Sequence, residues 1–171
     1  MTKTQIAVID DRADARKMVA DVVQDAIANL GITNQWAVLS AAPLSKLSGY
    51  RNWIAKHNIG ILLIDERLAE IPDRSGEVAD YTGSDLVRVL RKQNKDMPIY
   101  GVTSFPDDPS LQTHFALFNE VIERHVFTAK ATQYIDRILR LYQSFLNKNE
   151  KELAELSKLS RTSFTTASER S

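Results

Sequence analysis

Apolar residues in this chain fall into short unbroken runs and runs spaced three and four apart, and the two patterns lay out strands alternating with helices. The most uniform run is Ile59-Gly60-Ile61-Leu62-Leu63-Ile64, which has no polar face and so predicts a strand buried on both sides of a parallel sheet. It ends in Asp65 and Glu66. Ile6-Ala7-Val8-Ile9 predicts the first strand and ends in Asp10 and Asp11. Trp36 to Ser40 predicts a short second strand, Pro98 to Val102 a fourth ending in Thr103-Ser104, and Val121-Ile122-Glu123-Arg124 a fifth. Ala15, Val19, Val22, Val23, Ala26, Ile27 and Leu30 share one helical face, with Gly31 as the stop. A second helical segment is expected to open at Pro43 and run through Leu44, Leu47, Trp53 and Ile54. Thr82-Gly83-Ser84 introduces a helix carrying Leu86, Val87, Val89 and Leu90, and the turn from Pro106 to Pro109 leads to a short one through Leu111, Phe115 and Leu117. The last helix is expected from near Thr128, carrying Tyr134, Ile135, Ile138, Leu141, Tyr142 and Phe145. This alternation predicts an α/β sheet with helices on both faces.

Two stretches fall outside the alternation. Residues 69 to 80 turn polar, with Pro72, Asp73, Ser75 and Gly76, and read as a tolerated surface insertion at the end of the strand that carries Asp65. Beyond Phe145 the helical pattern continues weakly through Leu153, Leu156 and Leu159, while Asn149 and Glu152 interrupt a coiled-coil seam, so a broken or extended helix is expected. Ser160 to Ser171 is rich in Ser and Thr and predicts a disordered tail. The expected organisation is one domain over residues 1–146 and an extension over 147–171.

Composition narrows the function classes. The 22 basic and 22 acidic residues cancel, so nothing overall draws the chain to nucleic acid or to a membrane surface. With no cysteine, disulfides, thiolate metal sites and Cys nucleophiles are excluded. No signal-type or spanning apolar segment is present in the sequence, and a cytoplasmic location is expected. His57, His114 and His125 lie far apart without ligand spacing, which argues against a transition-metal site.

The acids are the candidate chemistry. If the first and third strands are neighbours, Asp10, Asp11 and Asp65 converge at the carboxyl end of the sheet, where ligands bind in open parallel folds. Three close carboxylates are electrostatically unfavourable unless a cation or a proton neutralises them. Each residue alone has a plainer reading: Asp11 as a turn or cap, Thr103 as a β-branched strand residue, Arg124 as a partner of Glu66 or Glu123. Their joint occurrence at strand ends favours a site.

In these residues the chain resembles the receiver domain of two-component response regulators. The match lies in Ile6 to Asp11, in Leu62 to Asp65, in Gly83-Ser84-Asp85-Leu86-Val87 and in Ile99 to Ser104, over roughly residues 4 to 145. The resemblance implies a flavodoxin-like, five-stranded, doubly wound parallel sheet of strand order 2-1-3-4-5. It implies that Asp65 is a phosphoacceptor, taking a phosphoryl group from the phosphohistidine of a histidine kinase or phosphotransfer protein in a phosphorelay. It further implies Mg²⁺ held by Asp10, Asp11, Asp65 and the backbone carbonyl of Arg67, a phosphoryl contact from the Thr103 hydroxyl, and output through an unidentified downstream protein or a homodimer. The chain would then be a phosphoprotein rather than an enzyme, limited to its own phosphorylation and dephosphorylation.

One part of the pattern departs from the family. Receivers place a Lys, usually followed by Pro, at the end of the fifth strand. Here Arg124-His125 occupies that register, either could fill the slot, and Arg is not equivalent to Lys. The aromatic that precedes the Lys is replaced by Val121 or Ile122. An unphosphorylated pseudo-receiver acting as an interaction module is therefore an alternative. A phosphatase of the haloacid dehalogenase type ranks last, because it would want Asp-x-Asp on the first strand.

Overall fold

The computed structural model describes the backbone of residues 2 to 168 and the side chains of residues 2 to 161. Five strands, β1 (Thr4–Ile9), β2 (Trp36–Ala41), β3 (Ile59–Ile64), β4 (Ile99–Thr103) and β5 (Glu120–Glu123), form one sheet in the order β2-β1-β3-β4-β5. Every pairing is parallel. All of β3 is buried, as an aliphatic strand with neighbours on both edges and helices on both faces must be. Its register sets Ile64 beside Ile9 on one side and Gly101 on the other, so the residues that follow β1, β3 and β4 emerge together.

Alternation along the strands divides the core in two. Ile6, Val8, Ile61 and Leu63 face α1 (Ala13–Asn29), α5 (Arg124–Ala129) and α6 (Ala131–Ser168), through Val19, Val23, Ile27, Phe127, Ile135 and Ile138. Ala7, Ile9, Leu62 and Ile64 face α2 (Tyr50–Lys56), α3 (Gly83–Gln93) and the short α4 (Pro109–Gln112), through Tyr50, Leu86, Val87, Leu90 and Leu111. Each fully buried Leu or Ile contributes about 1.5–3 kcal/mol, which is how so regular a sheet outweighs its ordering entropy.

Three helix boundaries differ from the sequence-based expectation. Pro43 does not open a helix: the Leu44 N–H donates to the Tyr50 hydroxyl and its carbonyl accepts from Tyr81, so tyrosines replace the helical ladder there. A 3-10 turn at Leu47–Gly49 then leads into α2. At the other end, β5 stops at Glu123, and the expected single helix is two, α5 and α6, broken at Lys130. α6 continues to Ser168, so the stretch from Ser160 is helical as far as the described residues reach, where disorder was expected; residues 169 to 171 lie outside them. Leu153, Leu156 and Leu159 on this extension are exposed. Among the described residues no helix is long and apolar enough to cross a membrane.

Candidate functional site

β1 and β3 end side by side, and Asp10, Asp11 and Asp65 lie just beyond them, each less than a tenth exposed. One carboxylate oxygen from each lies within 4.8 Å of the other two. α3 begins directly behind Asp65. A Cβ on Gly83 would come 2.4 Å from the Asp65 carbonyl oxygen, so only glycine permits this approach, and the Gly83 N–H donates to the Glu66 carbonyl at 2.9 Å. The helix is started by a capping box between Thr82 and Asp85.

Arg124, the first residue of α5 immediately after β5, closes the cluster. Its Nη2 donates to Asp10 Oδ2 at 2.9 Å and lies 3.4 Å from Asp65 Oδ1, while Nη1 donates to Ser104 Oγ at 3.0 Å. The Asp65 contact is an ion pair without hydrogen-bond alignment. As a result Asp65 Oδ1 has no hydrogen-bond partner among the described residues, and neither does Asp11 Oδ1 or Arg124 Nε. Asp10 is better served, with the Arg12 N–H on Oδ1 at 2.9 Å and the Arg16 guanidinium on its carbonyl.

Burial dominates the electrostatics. It pushes the Asp10 carboxyl up to about 7, helped by the charge of Asp65 and opposed by the Arg12 N–H and Arg124. Asp65 is also raised by burial, with the Thr103 hydroxyl and Arg124 pulling the other way. A cluster whose own protein groups leave buried acids in this state, with two buried oxygens unsatisfied, fits a cation. All the donors are oxygens, which suits a small hard ion such as Mg²⁺.

Of the residues singled out in the sequence, Asp10, Asp11, Asp65, Thr103 and Arg124 are brought together. Thr103 is fully buried and its hydroxyl also accepts the Phe105 N–H at 3.2 Å. Arg124 fills the basic slot; it pairs with neither Glu66 nor Glu123. His125 points away, exposed and 2.7 Å from Glu123 Oε1. The Arg67 side chain lies over Phe105 at 3.5 Å from the ring centroid and 3.5 Å from both Glu70 and Asp108, bridging the loops after β3 and β4.

Two features escaped the sequence reading. Glu66 is buried and accepts from the Ser84 N–H and hydroxyl on Oε2 and from the Ser110 hydroxyl on Oε1; burial raises its carboxyl and these bonds oppose the rise. The second is the loop from Ala69 to Asp80, which is not a detached insertion: the Glu70 and Ile71 N–H groups donate to Asp11 Oδ2. The only advance signal for Glu66 was its place immediately after Asp65. Main-chain donors leave no residue signature at all.

No family model matches the sequence, and no curated protein does so at a significant level. Solved structures do. The response regulator TrrA from Thermotoga maritima, solved in complex with Mg²⁺ and BeF, matches at TM-score 0.52 and 15% identity, over 79% of this chain and 98% of that one. A response regulator receiver domain protein from Clostridium thermocellum matches at 0.57 and 14%, over 83% and 98%. The receiver domain of NtrX from Brucella abortus matches at 0.56 and 15%, over 79% and 98%. The chain therefore has the flavodoxin-like fold of response regulator receiver domains, with a buried aspartate cluster at the carboxyl end of its sheet.

Proposed function

We propose that this receiver fold works as a phosphoacceptor signalling domain in which Asp65 takes a phosphoryl group from the phosphohistidine of a histidine kinase or phosphotransfer protein. The observation that carries the reading is the pair of buried, unsatisfied carboxylate oxygens on Asp11 and Asp65, in an all-oxygen cluster faced by one arginine. Mg²⁺ held by Asp10, Asp11, Asp65 and the Arg67 carbonyl would supply the positive charge that lets these acids ionise together and that offsets charge on a transferred phosphoryl group. The remaining work falls to the chain. The Asp65 carboxylate attacks phosphorus as the bond to the imidazole nitrogen breaks, and needs no general base once ionised. Arg124, whose Nη2 lies 3.4 Å from Asp65 Oδ1, would donate to a phosphoryl oxygen, and the Thr103 hydroxyl beside Asp65 would donate to another. The chain turns over no substrate beyond its own phosphorylation and its reversal. Output passes to a downstream protein or a second copy in the cytoplasm, through movement of the loop after β4.

The pseudo-receiver reading has an observation of its own: Arg124 already pairs with Asp10 and Asp65 without any ligand. Acetyl phosphate treatment in Mg²⁺ followed by mass analysis, with beryllofluoride binding followed by NMR, decides between them. Addition of one phosphoryl group, lost in Asp65→Asn, is expected; folded protein that gains no mass and binds no beryllofluoride at millimolar Mg²⁺ would establish the pseudo-receiver.

A further inference from the structure

The loop between β3 and α3 is braced at both ends. Leu68 is fully buried at its start, and Ala79 and Tyr81 are buried at its end, where the Tyr81 hydroxyl meets the Tyr50 hydroxyl at 2.7 Å. Between these anchors the tip is closed on itself. Asp73 Oδ1 accepts from the Ser75 N–H and hydroxyl and from the Glu77 N–H, the Asp73 N–H donates to the Glu77 carbonyl, and Gly76 takes the left-handed turn at φ +83°. Before the tip, two main-chain groups of the otherwise exposed loop are aimed inward. The Glu70 and Ile71 N–H groups converge on Asp11 Oδ2 at 2.9 and 2.8 Å. Asp11 Oδ1, on the same buried carboxylate, is left without a partner among the described residues.

We infer that this loop is part of the cation site, its Glu70 and Ile71 amides acting as positioning groups that hold Asp11 with Oδ1 free to bind a divalent cation. The inference rests on the reading of the aspartate cluster as a cation site. Physically, two charge-assisted hydrogen bonds on one oxygen fix the rotation of the carboxylate before the ion arrives, so less order has to be gained on binding. Groups that orient a metal ligand in this way typically contribute about 10–100-fold in affinity. Linkage makes the effect reciprocal: if the held Asp11 favours the ion, the bound ion favours the held loop.

The test uses the full chain with Mn²⁺ as a paramagnetic probe and Mg²⁺ as competitor, alongside hydrogen exchange at residues 68 to 72. Ile71→Pro removes one of the two donors, and Ile71→Ala, at a side chain that is 42% exposed, keeps it. The expected result is weaker Mn²⁺ binding in Ile71→Pro, by about 10-fold or more, with Ile71→Ala like the wild type. In the wild type, Mg²⁺ should also slow exchange of the Glu70 and Ile71 amides, a readout that does not depend on any variant folding. Mn²⁺ binding equal in all three proteins, or exchange at these amides that is unchanged or faster in Mg²⁺, would overturn the inference while leaving the cation site intact. A wild-type chain that binds no divalent cation would remove the site and the inference together.

Discussion

At the scale of single residues, the site depends on one cation placed among acids. Arg124 is buried, and replacing it with Met keeps most of its stem while leaving Asp10 and Asp65 facing each other without compensation. Removing one partner of a buried ion pair typically costs about 3–5 kcal/mol. Denaturant unfolding of Arg124→Met at pH 8 without divalent ions should show a loss of that order, shrinking at pH 5.5, where one carboxyl takes up a proton; a loss equal at both pH values would show that packing, not charge, is what Arg124 supplies. Glu66 behaves differently because its partners are neutral donors. Glu66→Ala strands the Ser84 N–H and unsettles two hydroxyls, so a loss of about 1–3 kcal/mol is expected. Glu66→Gln should recover part of it, since an amide oxygen still accepts. Of these groups, Asp10, Asp11, Asp65 and Thr103 were legible in the sequence because each stands where an apolar run stops. The choice between Arg124 and His125 was not, since it turns on whether β5 ends one residue earlier or later.

At the scale of elements, the strands and the starts of α3 and α4 were readable, and the start of α2 and the break between α5 and α6 were not. A strand buried on both faces announces itself in uninterrupted aliphatics, as β3 does. The start of α2 depends instead on contacts distant in sequence, Tyr81 on the Leu44 carbonyl above all, which override the preference of Pro43 for a first helical turn. Two glycines, Gly60 in β3 and Gly83 at the start of α3, separate fold from site. Gly60→Ala would set a Cβ 2.6 Å from the Tyr142 ring, at the end of β3 away from the acids, whereas Gly83→Ala would press on the Asp65 carbonyl. Both should lower thermal stability, by about 1–3 kcal/mol as overpacking usually does. Only Gly83→Ala should also weaken Mg²⁺-dependent beryllofluoride binding. Comparing the two variants at matched fraction folded checks this, and equal losses of binding would mean that Asp65 does not depend on the approach of α3.

For the molecule as a whole, the buried acids make stability fall where most proteins hold it level. Asp10 goes from an ordinary 3.8 when unfolded to about 7 when folded, and Asp65 and Glu66 shift in the same direction. Across that window Asp10 holds more proton in the native state than in the unfolded state, so unfolding free energy decreases as pH rises through it, by up to about 1.4 kcal/mol per pH unit from Asp10 alone, with Asp65 and Glu66 acting in the same sense. The carboxyls shifted down, Asp14, Asp73, Asp96 and Asp108, act in the opposite sense and only below pH 4, as their ordinary value of 3.8 requires. The metal-free chain should therefore melt at a higher temperature at pH 5.5 than at pH 7.5. A cation that binds only ionised acids reverses the order: Mg²⁺ should raise the melting temperature more at pH 7.5 than at 5.5, because at the lower pH it must displace the proton that Asp10 holds. Asp10→Asn should flatten both dependences, as it removes the carboxyl that burial pushes up to about 7. A metal-free melting temperature that climbs from pH 5.5 to 7.5 would mean that the acids are ionised together without help, and that the cluster has no need of an ion.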